Sequence, residues 1–215
     1  DTVTDVAKQF PARNRADGRY YAIDFTVAEL KQLNVSERFS HKTGEAVFKT
    51  RHPLWQGKFK LHTFEEEILF VRDLNKTNNH VAGIYPELKK PAWHREQGRD
   101  LSRIVLPILA RHGYATNSDK IFLQCFEFDE LKRLRRELGW RGQLVQLLDD
   151  SAEHKQLRTR AGLEKIATVA NGIGPGLAHL VTVTSEGVPL TTSLVSDAHA
   201  LKLVVHPYTL RRDEL

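Results

Sequence analysis

The stretch Gly83-Ile84-Tyr85-Pro86-Glu87-Leu88-Lys89 decides the reading of the fold. An apolar approach ends in a carboxylate and an ammonium two residues apart, and the side-chain period of a strand puts Glu87 and Lys89 on one face. Pro86 has no N–H to give to a ladder, which argues for a strand end rather than the middle of a central strand. Strand ends are where parallel α/β proteins carry their functional side chains.

Further strands are predicted at 121–126, 143–148, 171–176 and 203–205, in addition to 81–88. Helical spacing separates them. A helix from Pro91 towards Gly113 carries Leu101, Ile104, Val105, Ile108 and Leu109, and Pro107 is predicted to kink or split it. Asp129 is the expected cap of a helix with Leu131, Leu134 and Leu138, stopped by Gly139. Leu163 and Ile166 mark another helix, and Leu194, Ala198 and Leu201 a last one, while 149–160 is charged and uninformative. Strand and helix alternate with no hairpin dipeptide between them, which calls for parallel strands covered by helices. These five strands are too few to close an eight-stranded barrel, although they could make an open sheet. Upstream, Thr26 with Glu29 and Thr63 with Glu66 have the spacing of capping boxes. They precede helices carrying Leu30 and Leu33, and Phe64, Ile68, Val71 and Leu74. Residues 36–60 are polar, with Gly44, Pro53 and Gly57, and read as an excursion or lid over a site.

The 215 residues are 40% hydrophobic, enough for one sizeable core, and 1–215 is taken as a single domain. A net charge of +5 suits either an anionic ligand or a merely basic surface. No Lys/Arg block is interleaved with exposed-looking aromatics, so nucleic acid is not expected as a partner. The lone Cys125 lies in an apolar run and reads as a core residue. No apolar run is long enough for a membrane span. The chain opens at Asp1 and contains no methionine, which reads as a mature product or an internal fragment, and a targeting segment cannot be judged from it.

Several residues are candidates for chemistry. Glu87 and Lys89 are either a strand-end ion pair, or a hard-metal ligand beside a cation that neutralises an oxyanion. Gln124 ends a strand and could hydrogen-bond a ligand. His206 and Tyr208 share a face and could present a ring nitrogen and a phenol to a polar substrate, although a packed histidine is the alternative. Gly172, Gly174 and Gly176 alternate without the spacing of a phosphate or dinucleotide loop, and predict close backbone approach. The histidines show no zinc spacing, and Ser193 and Ser196 lack a nucleophile elbow.

Taken together, 83–89, Leu123-Gln124-Cys125-Phe126, Asp129-Glu130-Leu131-Lys132, Asn171-Gly172-Ile173-Gly174-Pro175 and Leu203-Val204-Val205-His206-Pro207-Tyr208-Thr209 closely resemble the bacterial periplasmic glycerophosphodiester phosphodiesterases. Residues 1–25, with the stretch 18–26, and the helix start at 62–67 do so too, and the resemblance runs through nearly the whole chain. It implies an incomplete TIM barrel, (β/α)8, of the phospholipase C-like phosphodiesterase type, with the site at the C-terminal ends of its strands. It also implies metal-dependent hydrolysis of glycerophosphodiesters to glycerol 3-phosphate and an alcohol. In that scheme the glycerol 2-hydroxyl attacks phosphorus in line, histidines act as acid and base, and water opens a cyclic phosphate.

By the same resemblance Glu87 binds the metal, calcium or alternatively magnesium, and Lys89 positions the phosphate or the carboxylate. Gln124, His206 and Tyr208 lie beside the substrate, the location is the periplasm, and a homodimer is allowed. The chain departs from the family in lacking its His-Arg-Gly and His-Asp segments, the Glu-x-Asp pair between them, and a final Thr-Asp-Phe-Pro-like strand. The expectation is therefore a fragment of an enzyme; the alternative is a non-catalytic α/β binding domain.

Overall fold

The computed structural model describes residues 2–211, so all but the first residue of the polar tail 211–215 lies outside it. The chain forms two compact units, Asp1–Asp73 and Leu74–Leu215.

The first unit is built on short helices: α1 (Val6–Gln9), α2 (Val27–Gln32) and the start of α3 (Phe64–Thr77), within which the unit boundary falls. Both expected capping boxes form. Thr26 N–H donates to Glu29 Oε2 at 2.7 Å and Glu29 N–H to Thr26 Oγ1 at 3.2 Å. The corresponding bonds of Thr63 and Glu66 are 2.8 and 3.2 Å. Each box satisfies helix N–H groups that would otherwise lack partners. Val6, Phe25 and Leu33 are buried together, with Phe10, Tyr20, Leu30 and Leu61 packed around them. Residues 36–60 contain no regular helix; they are tied down by single antiparallel bridges, Val35 to Phe59 and Phe39 to Ala46.

The second unit carries the parallel sheet. Its first member is irregular: Ile84 pairs with Ile121 and Glu87 with Gln124, both parallel, without a continuous strand over 81–88. Pro86 explains the break, because it can accept but not donate; its carbonyl takes the Gln124 N–H at 2.9 Å. The chain continues through α4 (Pro91–Glu96), α5 (Leu101–Arg111), β1 (Phe122–Cys125), α6 (Phe128–Arg136) and β2 (Gln143–Leu148). It then forms α7 (Ala152–Leu157), α8 (Arg160–Ala167), β3 (Gly172–Pro175), β4 (Val181–Val183), β5 (Pro189–Thr191), α9 (Leu194–Ala200) and β6 (Val204–Val205). The sheet order is β1-β2-β3-β6, all parallel, and Val145 sits in register between Gln124 and Gly172.

Five expectations need correction. The predicted helix 91–113 divides at 97–100, where Gly98 takes φ +76° and the Asp100 side chain caps α5, accepting from Arg103 N–H. Helix α5 runs through Pro107, since a proline there removes a single hydrogen bond. Helix α6 starts before Asp129: Glu127 is its N-cap position, and Asp129 sits in the first turn, where its charge favours the helix N-terminus. Residues 149–160 contain α7, capped by Ser151, whose Oγ accepts from His154 N–H at 3.3 Å. Finally, β4 and β5 form an antiparallel hairpin whose turn places Gly187 at φ +79°.

The glycines of β3 do permit close approach. A Cβ on Gly172 would lie 2.7 Å from the Val204 carbonyl oxygen, and one on Gly174 would lie 2.6 Å from Leu147 Cδ2. Leu123, Cys125, Leu144, Val145, Leu148 and Ile173 are fully buried in the sheet, and Leu131, Leu134, Leu163 and Ile166 in the helices.

A buried charge cluster joins α4, α5 and α6. The Glu130 side chain is wholly buried, accepts from Ser102 Oγ at 2.5 Å and Arg133 Nη1 at 2.9 Å, and pairs with Arg95. Removing one member of such a cluster leaves the others buried without compensation. Glu130→Ala is expected to cost about 3 kcal/mol of unfolding free energy, read as a lower urea midpoint at unchanged slope. A loss below about 0.5 kcal/mol would mean the two arginines are solvated as well without it.

Candidate active site

The C-terminal ends of the parallel segments bring Glu87, Asp149, Gly176 and Tyr208 to one end of the sheet. Glu87 is held by the Gln124 pairing, with Leu88 N–H donating to the Gln124 carbonyl at 2.9 Å. Its Oε1 is buried with no hydrogen-bond partner in the structure. Its Oε2 lies 3.7 Å from Lys89 Nζ, and the Lys89 side chain is 76% exposed. The expected pair is therefore present as a loose surface ion pair beside a buried, unused acceptor.

The other sequence candidates all have protein partners. Gln124 Nε2 donates to the Tyr85 carbonyl at 3.0 Å, fastening the Glu87 segment to β1. His206 Nδ1 lies 3.0 Å from the Tyr85 hydroxyl, and its ring meets Phe122 edge-on at 4.8 Å. Burial lowers the His206 pKa and raises that of Tyr85 to about 12, so the two meet as a neutral imidazole and a protonated phenol. The Tyr208 hydroxyl donates to the Leu148 carbonyl at 3.0 Å, and its ring stands edge-on to Phe126. Phe122 and Phe126 are four residues apart, so His206 and Tyr208 lie over one face of β1 and its extension. Burial raises the Tyr208 pKa first, with the charges of Asp149, Asp150, Arg158 and Glu87 also acting on it. The phenol thus shares a neighbourhood with the Glu87 carboxylate.

Around this end the structure adds residues that sequence reasoning missed. Gln146 is fully buried in β2; its Nε2 donates to the Phe126 carbonyl at 2.7 Å, and its Oε1 has no partner. Its signal was a lone amide inside the apolar run Leu144–Leu148. His154 is buried, with Nε2 donating to the Phe126 carbonyl at 2.9 Å and Nδ1 2.6 Å from Asp149 Oδ1. Arg158 Nη1 and His179 Nε2 approach Asp150 Oδ1 at 3.6 and 3.7 Å. They line a cavity of about 250 Å³ with Thr192 and Ser193. Burial lowers the His179 pKa, and Arg158 adds to the effect. Nothing in the local sequence pattern marks these residues, because they converge from four separate segments. Cys125, as expected, is a core residue, its thiol pushed up to about 12 by burial.

Among the described residues no three or more His, Cys, Asp or Glu side chains converge as a metal cage. Among the described residues Glu87 Oε1 is a buried carboxylate oxygen with no partner, a hard donor of the kind divalent cations take.

The family model for glycerophosphoryl diester phosphodiesterases matches residues 1–215. The chain belongs to that family. It is 38% identical to the glycerophosphodiester phosphodiesterase of Haemophilus influenzae, in an alignment covering all of this chain and 66% of the relative. It is 36% identical to that of Treponema pallidum, covering all of this chain and 67% of the relative. The chain spans about two thirds of the length of these curated relatives. Among solved structures it is similar to a Silicibacter pomeroyi protein provisionally named glycerophosphoryl diester phosphodiesterase. The TM-score there is 0.62 at 19% identity, covering 89% of this chain and 60% of the other. An Agrobacterium tumefaciens protein with the same provisional name gives 0.55 at 14%, covering 86% and 59%. These likenesses support the TIM-barrel type of fold, of which the second unit shows an open run of parallel strands. Enzymes of the family are in general metal-dependent.

The mouth has an acid-sensitive feature. Burial alone would raise the Asp149 carboxyl, but hydrogen bonds from Ser151 and His154 outweigh it and bring the pKa down to about 2. A folded pKa below the usual 3.8 stabilises the native state in full above pH 3.8, and that contribution is lost as pH falls towards about 2. Asp149→Asn should therefore flatten the fall of Tm with pH across this window. An unchanged acid limb would assign it to other carboxylates.

Proposed function

We propose that this chain is part of a metal-dependent glycerophosphodiester phosphodiesterase that releases glycerol 3-phosphate and an alcohol. The observation that carries the reading is the buried, unpartnered Oε1 of Glu87 at the C-terminal end of the sheet, in a chain the family model matches from end to end. Periplasmic residence is part of the same reading, supported by the resemblance of the segments around Glu87 and His206 to the periplasmic enzymes.

In this reading Glu87 Oε1 is a ligand to a divalent ion, calcium or magnesium. Both are hard cations taken by carboxylate oxygens. When bound, such an ion offsets negative charge on the phosphoryl oxygens. Lys89, exposed and loosely paired, is free to swing its ammonium towards a phosphate. His206, whose Nδ1 is held by Tyr85, has Nε2 left to meet a substrate oxygen. Tyr208 keeps its proton and closes one wall of the mouth. Gln124 acts through the Glu87 segment by anchoring the Tyr85 carbonyl, and its free Oε1 is the atom left for a ligand. The in-line scheme through a cyclic phosphate needs acid–base histidines beyond these residues.

One observation favours a non-catalytic reading: neither His-Arg-Gly nor His-Asp occurs in the 215 residues. The same experiment separates the two. In the protein that carries this chain, hydrolysis of glycerophosphocholine should stop on chelation and return with calcium or magnesium. Glu87→Gln should lower kcat/KM by about 100-fold, with weaker metal binding by calorimetry at unchanged Tm. No turnover at any metal concentration would leave the binding reading. Turnover indifferent to Glu87 would remove its role as ligand.

A further inference from the structure

The unit Asp1–Asp73 holds a cavity of about 530 Å³ that the chemistry proposed above does not use. This volume lies in the range of sites for small organic ligands. Its lining joins two aromatic rings, Phe39 and Trp55, with two ammonium groups, Lys8 and Lys58. The ring centroids are 5.3 Å apart and tilted by 51°, so the rings pack on each other as one wall. They do not flank a space from two sides, as a cage for a quaternary ammonium would.

Trp55 has the marks of a placed residue. Its φ of +61° is a left-handed conformation that a bulky side chain adopts only at a steric cost. Its N–H donates at 2.9 Å to the hydroxyl of Ser36, which is buried. The strained backbone nevertheless leaves the indole 46% exposed, so burial of the ring does not account for the strain. The turn that follows is tight, because a Cβ on Gly57 would lie 2.0 Å from the Phe59 ring.

The charge of the lining is also uneven. Asp5 contributes a carboxylate, but its oxygens already accept from Gln9 Nε2 and from the Asn34 backbone and side chain. Lys8 and Lys58 are exposed and make no ion pair among the described residues. The surrounding segment 36–60 adds Arg38, Lys42, Lys49, Arg51 and Lys60 against Glu37 and Glu45. These charges are scattered, which is why the sequence shows no basic block.

We infer that this cavity binds a phosphorylated organic anion, with the phosphate on Lys8 and Lys58 and the organic body against Phe39 and Trp55. Ammonium groups serve as point charges for phosphate, and an aromatic wall suits the uncharged remainder. The phosphate can belong to a free ester of the glycerol phosphate class or to the headgroup of an anionic phospholipid. The residues that line the cavity all belong to the first unit, and the binding does not depend on turnover.

The test is calorimetric titration with glycerol 3-phosphate, run beside co-sedimentation with phosphatidylglycerol vesicles and with neutral phosphatidylcholine vesicles. The variants are the double change Lys8→Gln/Lys58→Gln, Trp55→Ala, and Glu87→Gln as the control for the other unit. Saturable binding of glycerol 3-phosphate is expected, retained in Glu87→Gln and weakened about tenfold or more in the lysine and Trp55 variants. Binding to phosphatidylglycerol vesicles alone, with the same dependence on Lys8, Lys58 and Trp55, would assign the phosphate to lipid. Both lysines are exposed, so their replacement leaves the fold intact, which the melting curve checks. No binding to either probe, or binding that follows Glu87 and ignores the lysines, would overturn the inference.

Discussion

The pairing made by Gln124 is the constraint on which the mouth of the sheet depends. One residue holds the Glu87 segment three times: its N–H goes to the Pro86 carbonyl, its carbonyl takes the Leu88 N–H, and its side-chain amide goes to the Tyr85 carbonyl. A proline in a parallel ladder removes a donor, and the side-chain bond restores a contact next to that gap. The position of Tyr85 then follows, and with it the hydrogen bond that orients His206 from the far side of the sheet. Gln124 was expected to meet a ligand directly; in this geometry its amide nitrogen is a positioning group for residues that sit nearer to one.

Burial sets the electrical character of the same end. It keeps Tyr85 and Tyr208 protonated, and it works against charge on His206 and His179. Asp149 goes the other way, because Ser151 and His154 stabilise its charged form more than burial opposes it. The mouth therefore combines neutral hydrogen-bonding groups with three carboxylates, Asp149, Asp150 and Glu87, and one guanidinium, Arg158, that act on Tyr208. That arrangement accommodates a cation more readily than a bare anion. It accords with phosphate reaching this end in company with a metal ion or under the exposed Lys89.

How much of this was legible in the sequence depends on how local each cause is. The capping boxes at Thr26 and Thr63 are legible because the partner lies three residues away. The close approach at Gly172 is legible because only the absence of a Cβ makes room for Val204. Helix α7 was not, since Ala152–Leu157 has no apolar stripe and depends on Ser151 and on burial of His154 and Leu157. The hairpin β4–β5 has exposed residues on both faces of its two three-residue strands, so no buried face marks it. At the site, Glu87 and Lys89 could be paired from a period of two. The meeting of Asp149, His154, Arg158, His179 and Tyr208 is produced by the sheet order, which no stretch of sequence encodes by itself.

Unsatisfied polar atoms give the strongest independent argument for where chemistry belongs. Leaving a buried acceptor or donor without a partner costs about 1–3 kcal/mol, so a chain selected for stability alone would not accumulate such atoms. Among the described residues of the second unit, Glu87 Oε1, His94 Nδ1, Trp140 Nε1, Gln146 Oε1 and Arg158 Nη1 lack a hydrogen-bond partner. Glu87 lies level with Gln124 and Val145 and shares their face of the sheet, whereas Gln146 follows Val145 on β2 and faces the other way, and Arg158 Nη1 has the Asp150 carboxylate 3.6 Å away. Glu87 Oε1 is thus the open carboxylate oxygen on the face that also carries Gln124, at the end of its parallel segment. Packing of the chain against itself does not require that atom to stay open.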